Sequence, residues 1–332
     1  MSFSLYYPPT VKYDVLQQRP HHLLKYLARL GATCYFCEPQ VPGRPIAREI
    51  EENFVVLNGF MQTTFKRPLA LYFTYPPHLQ HVGKIKEDVV VFDTVDEPAE
   101  EFAHWEEQYV ASLTRADVVL ASAIKLYDAA KQHNSNVHLV TNAVEYERFA
   151  AARTKGKVPV MLRKLDSSKI TVGFYGAIAT WIDFDLIKNA ALQRPNWNFV
   201  VIGPTYNYVL DNLPPNVTRL QHIPYQNLPE YLSIFDVCLV PFKKSLVAES
   251  CNPLKMWEYL AAGKPIVTTN IVESEGKPGV YQASVDNFVD KIDQALSEDS
   301  LLLRDARQAI ALQNSWEEKA KIVYNEILRC FK

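Results

Sequence analysis

The sequence predicts an α/β protein built from two parallel, doubly wound sheets. Short apolar, β-branched runs alternate with helix-patterned segments over most of the chain. The alternation breaks in the basic, polar stretch 151–169, "AARTKGKVPVMLRKLDSSK", and then restarts. At 332 residues the chain is long for one core and comfortable for two domains. The expected division is therefore an N-terminal Rossmann-like domain over 1–165 and a C-terminal one over 166–332.

The elements follow in order. Strand patterns fall at 33–38, 54–59, 69–75, 89–94, 118–122 and 137–142. The first helix, "RPHHLLKYLARLG" (19–31), opens on a proline and closes on Gly31, with Leu23, Leu24, Leu27 and Leu30 at helical spacing. After the break come strands at 170–178, 198–204, 217–223 and 236–242, the helix "LPEYLSIF", and the strand "PIVTT". A terminal helix starts at "NSWEEKA", where Ser315 and Glu318 form a capping-box pattern. Ligands of such sheets bind beyond the carboxyl ends of the strands, so a crevice between the two domains is the expected site.

Composition excludes several classes. With 35 basic and 37 acidic residues there is no built-in pull toward nucleic acid. No apolar run approaches the roughly 20 residues of a membrane span, and "MSFSLYYPPTVKYD" lacks the features of a leader peptide. Five cysteines without paired spacing fit a reducing cytoplasm. Cys34 and Cys37 have CxxC spacing but fall in a strand pattern, where residues three apart point to opposite faces. No G-x-G-x-x-G follows a strand, which argues against a nicotinamide dehydrogenase.

The stretch 250–270, "SCNPLKMWEYLAAGKPIVTTN", is the densest in chemistry. Asn252 suits an N-cap and Pro253 the first helical position. The N–H groups and positive dipole end at such a helix start attract anions, and Lys255 in the first turn adds a point charge suited to phosphate. Glu258 follows three residues later on the same face, where a ribose diol would need an acceptor. The plain alternative is an i,i+3 ion pair on a solvated helix. Gly263 ends the helix so that the next strand starts at once.

"NPLKMWEYLAAGKPIVTT" resembles the donor-site signature of the GT-B glycosyltransferases, especially family 4 and its relatives in bacterial polysaccharide and teichuronic-acid synthesis. "QQRPHHLLKYLARLG", "VVFDTVDEPAEF", "GFYGAIATWIDFDLI", "IPYQNLPEYLSIFDVCLVPF" and "NSWEEKA" also stand in the family's order. The resemblance implies a GT-B fold of two Rossmann-like domains facing a central cleft, with a terminal helix able to cross back to the first domain. It implies a cytoplasmic, metal-independent glycosyltransferase with no cofactor. The nucleotide-sugar donor, a UDP-sugar ahead of a GDP-sugar, would sit mainly on the second domain. A glycan or lipid-linked glycan acceptor would sit on the first, which is compatible with peripheral contact at the inner face of the membrane. By the family pattern Glu258 bonds the ribose, while Asn252, Leu254 and Lys255 take the diphosphate. Tyr225, in "IPYQNLPEYL", joins the donor-side candidates.

Two departures qualify the match. The interval from Glu249 to Glu258 is one residue longer than between the paired glutamates of many members, so Glu249 is either a sugar contact or an ordinary loop carboxylate. The loop "GAIATWIDFD" lacks the arginine and lysine that retaining members place there. Gly173 and Gly176 still permit close backbone approach to a ligand, and the charge would come from Lys243 or Lys244, unless these are simply solvated. "DFD" (183–185) resembles an Asp-x-Asp metal motif, but residues two apart on a helix do not face each other; Asp183 is expected to start the helix. Asp93 and Asp96 lie at the carboxyl end of a strand. Asp96 is the candidate base for an inverting transfer, against the retention that family 4 as a class suggests, and Asp93 a residue that caps or orients the turn; the plain alternative is a pair of turn-forming aspartates. Arg19, His21 and His22 at the first helix start are acceptor-side candidates, with His22 a second catalytic candidate and helix capping the blander reading. A sugar-nucleotide epimerase of the same fold and a non-catalytic nucleotide-sugar binder remain as alternative functions.

Overall fold

The computed structural model describes residues 2–59 and 64–331. The chain forms two compact units: Met1–Asn142 with Ser250–Asn252 and Trp316–Lys332, and Ala143–Glu249 with Pro253–Ser315. No helix among the described residues is long and apolar enough to cross a membrane.

In the first unit the strands are β1 (Ser4–Tyr7), β2 (Thr33–Glu38), β3 (Ala47–Glu51), β4 (Phe54–Asn58), β5 (Leu69–Phe73), β6 (Val89–Thr94), β7 (Val118–Ala121) and β8 (Val137–Leu139). They form one sheet in the order β3-β4-β2-β1-β5-β6-β7-β8. Every pairing is parallel except β3 with β4. Strands β1, β5, β6 and β7 are buried along their whole length, as a parallel sheet covered on both faces requires. The chain runs from β1 to one side and returns to β5 on the other, so strand order reverses beside β1, and loops at the carboxyl ends there diverge. Helices α1 (Arg19–Arg29), α2 (Glu106–Arg115) and α3 (Ile124–Ala130) belong to this unit.

The second unit holds β9 (Thr171–Tyr175), β10 (Asn198–Ile202), β11 (Val217–Leu220), β12 (Val237–Pro241), β13 (Ile266–Thr269) and β14 (Val280–Gln282). Their order is β11-β10-β9-β12-β13-β14 with all pairings parallel, and the reversal lies between β9 and β12. Its helices are α4 (Tyr146–Ala150), α5 (Phe184–Gln193), α6 (Leu228–Ser233), α7 (Leu246–Glu249), α8 (Leu254–Ala261), α9 (Phe288–Glu298) and α10 (Leu301–Gln313). The last helix, α11 (Trp316–Cys330), is part of the first unit and packs along α1.

Three strands escape the sequence pattern. β1 is a tyrosine-containing piece next to prolines, β3 is a mostly exposed edge of alternating charge, and β14 is three residues long. The division between units falls at Asn142 rather than 165. The stretch 151–169 is tied into the second unit by buried Ala152 and Leu162, and by Arg153 bonding Asp305 at 2.5 Å. Cys34 and Cys37 are both buried in β2 and are free thiols.

Candidate active site

In the second unit the chemistry gathers at the carboxyl edge of the sheet. Tyr175 ends β9 beside the reversal, and its hydroxyl donates to Glu258 Oε2 at 2.8 Å. Glu258, midway along α8, is 5 % exposed and lies beside the Tyr225 side chain. Tyr259 supports the pair, its ring edge-on to Tyr175 at 4.8 Å and its hydroxyl accepting the Tyr175 N–H at 3.1 Å. Burial pushes the Glu258 carboxyl up to about 7; the Tyr175 bond, the charge of Lys255 and the nearby Tyr225 hydroxyl oppose that rise, and Glu145 adds to it. Tyr225 packs on Phe149 with centroids 5.4 Å apart, and the Arg148 guanidinium lies 5.6 Å from its centre. Arg148 in turn bonds Glu145 at 2.7 Å. Near neutral pH the carboxylate is thus poised between proton-bearing and acceptor-only forms.

Lys255 opens the same helix. Its Nζ lies 5.2 Å from the centre of the Phe174 ring and 5.3 Å from that of Phe242, a cation held over two aromatic faces. It can rest there because residue 176 has no side chain: a Cβ at Gly176, whose φ is +149°, would stand 2.8 Å from Lys255 Cε. Gly203 is required for the neighbouring turn, since a Cβ there would lie 1.7 Å from the Gly176 carbonyl oxygen.

In the first unit Arg19 opens α1 and is buried, with Nε on Asp93 Oδ2 at 2.7 Å and Nη1 on Asn142 Oδ1 at 3.3 Å. Tyr72 donates to the same Asp93 oxygen at 2.5 Å. His21 Nδ1 accepts the Gln18 N–H at 3.2 Å, closing the helix start, and its ring lies between Tyr13 and Phe36 at 5.4 and 4.5 Å. Burial, then His22, lowers its affinity for a second proton to a pKa of about 3, so the ring is neutral. His22 stacks on Trp316 of α11 with centroids 5.1 Å apart and planes 7° from parallel. Lys319, one helical turn on, is shifted down to about 8 by burial and by Arg19. Asp96, just past β6, is half-buried and raised to about 6 by burial and by Glu101. Its neighbour Glu97 accepts the Ser250 hydroxyl at 2.8 Å.

The comparisons with known proteins follow this geometry. A sucrose-phosphate synthase from Thermosynechococcus elongatus superposes with a TM-score of 0.80 over 99 % of each chain at 14 % identity. The Anabaena protein HepE, in complex with UDP and glucose, gives 0.72 over 98 % of each chain at 13 % identity. The chain has the GT-B fold. Residues 169–298 match the family described as "Glycosyl transferases group 1". A Bacillus subtilis strain 168 protein, TuaH, described as a teichuronic acid biosynthesis glycosyltransferase, is 33 % identical over 183 residues. That alignment takes in 51 % of this chain and 45 % of TuaH, so the chain spans less than half the length of that curated relative.

In this GT-B chain several sequence expectations need correction. Asn252 is not the N-cap; Pro253 is, and the Asn252 carbonyl accepts the Asn142 amide at 2.6 Å. Leu254 is the first residue of α8. Gly173 does not clear space for a ligand: a Cβ there would stand 2.1 Å from the ring of Phe235, in the turn between α6 and β12, so packing of that ring on β9 demands the glycine. Asp93 neither caps nor orients a turn; it is the last but one residue of β6 and is spent on Arg19 and Tyr72. Arg19 bonds Asp93 and His21 accepts the Gln18 N–H inside the unit, while Arg19 Nη2 and His21 Nε2 are buried without a hydrogen-bond partner among the described residues. Lys255 and Glu258 are not a solvated pair, because Glu258 is buried under two tyrosines.

Other expectations keep their place. Lys243 is exposed, 5.8 Å from the Tyr208 ring centre, and Glu249 ends α7 half-buried. Asp183 caps α5, its Oδ1 accepting the Leu186 N–H at 3.2 Å. Tyr225 and Glu258 are brought together; Tyr175, which sequence reasoning missed, completes them. Its signal was available, since it is the last residue of the strand at the reversal. Trp316 and Lys319 carried none, because their place depends on α11 packing along α1.

Proposed function

We propose that the chain is a metal-independent glycosyltransferase. It moves a sugar from a nucleoside-diphosphate sugar, a UDP-sugar ahead of a GDP-sugar, to a carbohydrate or lipid-linked carbohydrate acceptor of a cell-surface polysaccharide. One observation carries this reading: a buried Glu258 carboxylate under Tyr175 and Tyr225, on a helix whose first turn holds Lys255, at the carboxyl edge where strand order reverses. The Tyr175 hydroxyl occupies part of the lone-pair capacity of the carboxylate and leaves acceptor positions for a ribose diol. Lys255 and the dipole at the start of α8 oppose the negative charge of a diphosphate, both in the bound donor and as it leaves. The family match over residues 169–298 and the UDP bound to HepE support a nucleotide on this unit.

Asp96 is assigned the acceptor side. A carboxylate raised to about 6 takes a hydroxyl proton near neutral pH better than an ordinary aspartate does. The transfer then proceeds with inversion: the acceptor oxygen bonds the anomeric carbon, its proton passes to Asp96, and the nucleoside diphosphate departs with the bond electrons. His22, stacked on Trp316, is assigned no proton-transfer role.

The test is thermal stabilisation and donor hydrolysis across UDP-, GDP-, ADP- and dTDP-sugars, for wild type and Glu258→Ala. One nucleotide should stabilise wild type and not the variant, because a ligand that binds only the folded state raises its stability by mass action. Stabilisation by none of them, or equal stabilisation of both proteins, would remove the donor site. Conversion of the donor to an isomer without acceptor would replace transfer by epimerisation.

A further inference from the structure

The second unit contains a cavity of about 440 Å³ that the donor reading does not use. Ile170, Asp236 and Pro265 line it, the residues that immediately precede β9, β12 and β13. In a parallel sheet those positions share the amino-terminal edge, opposite the one that carries Tyr175 and Lys255.

Five cationic side chains face this cavity: Arg153, Lys155, Lys169, Lys264 and Arg304. Two lining carboxylates oppose them, and both are occupied. Asp236 accepts the Thr171 N–H at 2.8 Å and stands 3.4 Å from Lys155. Asp299 takes Arg304 at 2.7 Å and also the buried Arg307 behind it. Beyond the wall, Asp305 pairs with Arg153, and Asp166 lies within electrostatic reach of Lys169. Counting Arg307, six cations meet four carboxylates, so the cluster keeps an excess of two positive charges.

Lys264 is the informative member. It is 9 % exposed, and its ammonium donates to the Ser233 carbonyl at 2.9 Å. An ammonium has three donors, so two are left beyond the Ser233 bond. Burial, the largest influence on it, weakens its hold on its proton; Cys238 and Asp236 oppose that, and the neighbouring cations Arg304 and Lys155 add to it. An apolar residue would serve that place better if nothing anionic ever came.

We propose that this cavity is a second, phosphate-type anion site, with Lys264 and Lys169 as its principal ligands and Arg153, Lys155 and Arg304 setting its field. The chemistry suits free phosphate, the phosphate of a small metabolite, or the headgroup of an anionic phospholipid. The site is independent of the nucleotide reading.

The experiment measures binding of inorganic phosphate and pyrophosphate to the whole protein by calorimetry at constant ionic strength. Co-sedimentation with phosphatidylglycerol and phosphatidylcholine vesicles runs in parallel. Wild type should bind saturably, and Lys264→Gln should lose roughly tenfold or more in affinity, the worth of a charged hydrogen bond. The exposed Lys169→Glu serves where the buried substitution disturbs folding, with a loss in the same direction. Glu258→Ala and saturating UDP should leave the affinity unchanged. Binding of phosphatidylglycerol vesicles alone, abolished by Lys169→Glu, identifies a lipid headgroup as the source and supports the site. Absence of both kinds of binding, displacement by UDP, or indifference to Lys169→Glu would overturn it.

Discussion

Replacing Glu258 by glutamine should alter how stability depends on pH. Its carboxyl, at about 7 in the fold against an ordinary 4.5, prefers its proton in the native state. A raised pKa contributes stability that is complete below the unfolded value and is lost as pH climbs through the folded one. At about 1.4 kcal/mol per unit, ionising the buried group costs roughly 3.4 kcal/mol in all, of which roughly 2.5 kcal/mol falls between pH 5 and pH 8. Glutamine does not titrate and keeps an acceptor oxygen for Tyr175. Urea unfolding of wild type and Glu258→Gln at pH 5 and pH 8 isolates the effect, because every other titrating group cancels in the difference. The stability difference should move in favour of the variant by about 2 kcal/mol from acid to alkaline conditions. Curves that stay parallel within about 0.5 kcal/mol would refute the burial argument. The same ionisation has the opposite effect on the proposed donor, since a carboxylate accepts ribose hydroxyls better than a carboxylic acid, so wild-type nucleotide affinity should rise as pH passes 7.

Three further outcomes are expected. Arg19→Ala leaves Asp93 buried with only Tyr72 as partner, and should cost roughly 3–5 kcal/mol in thermal unfolding, with a smaller loss for Arg19→Ala combined with Asp93→Asn. Gly203→Ala drives a methyl into the Gly176 carbonyl and should destabilise by roughly 2 kcal/mol or more, with nucleotide binding weakened in parallel, whereas Gly31→Ala meets nothing within 4 Å and should cost less. Asp96→Asn should lower kcat by roughly a hundredfold or more and abolish the acid limb of the pH–rate profile near 6. Near-normal turnover in that variant would remove both the base and the argument for inversion.

Much of the architecture was legible in the chain because it is encoded locally. The strand at 89–94 coincides with β6 and that at 33–38 with β2, since parallel strands buried along most of their length are written as largely apolar runs. Gly263, at φ +66°, stops α8 as its place before Lys-Pro implied. Edge strands such as β3 bury little and carry no such run, which is why they were missed. Helix α8 was also legible, since its start and its two charged residues lie within a few positions.

What the tertiary structure alone decided is the environment of those residues. Glu258 becomes a carboxyl whose pKa is raised by burial, with Tyr175, 83 positions away at the end of a strand, donating to it. Asp93 becomes a structural counter-ion because Arg19, 74 positions away, opens a helix beside β6. The last helix joins the first unit although the sequence places it after the second. Secondary structure needs only the residues of one segment, whereas burial and charge pairing are set by segments that meet only when the sheets close.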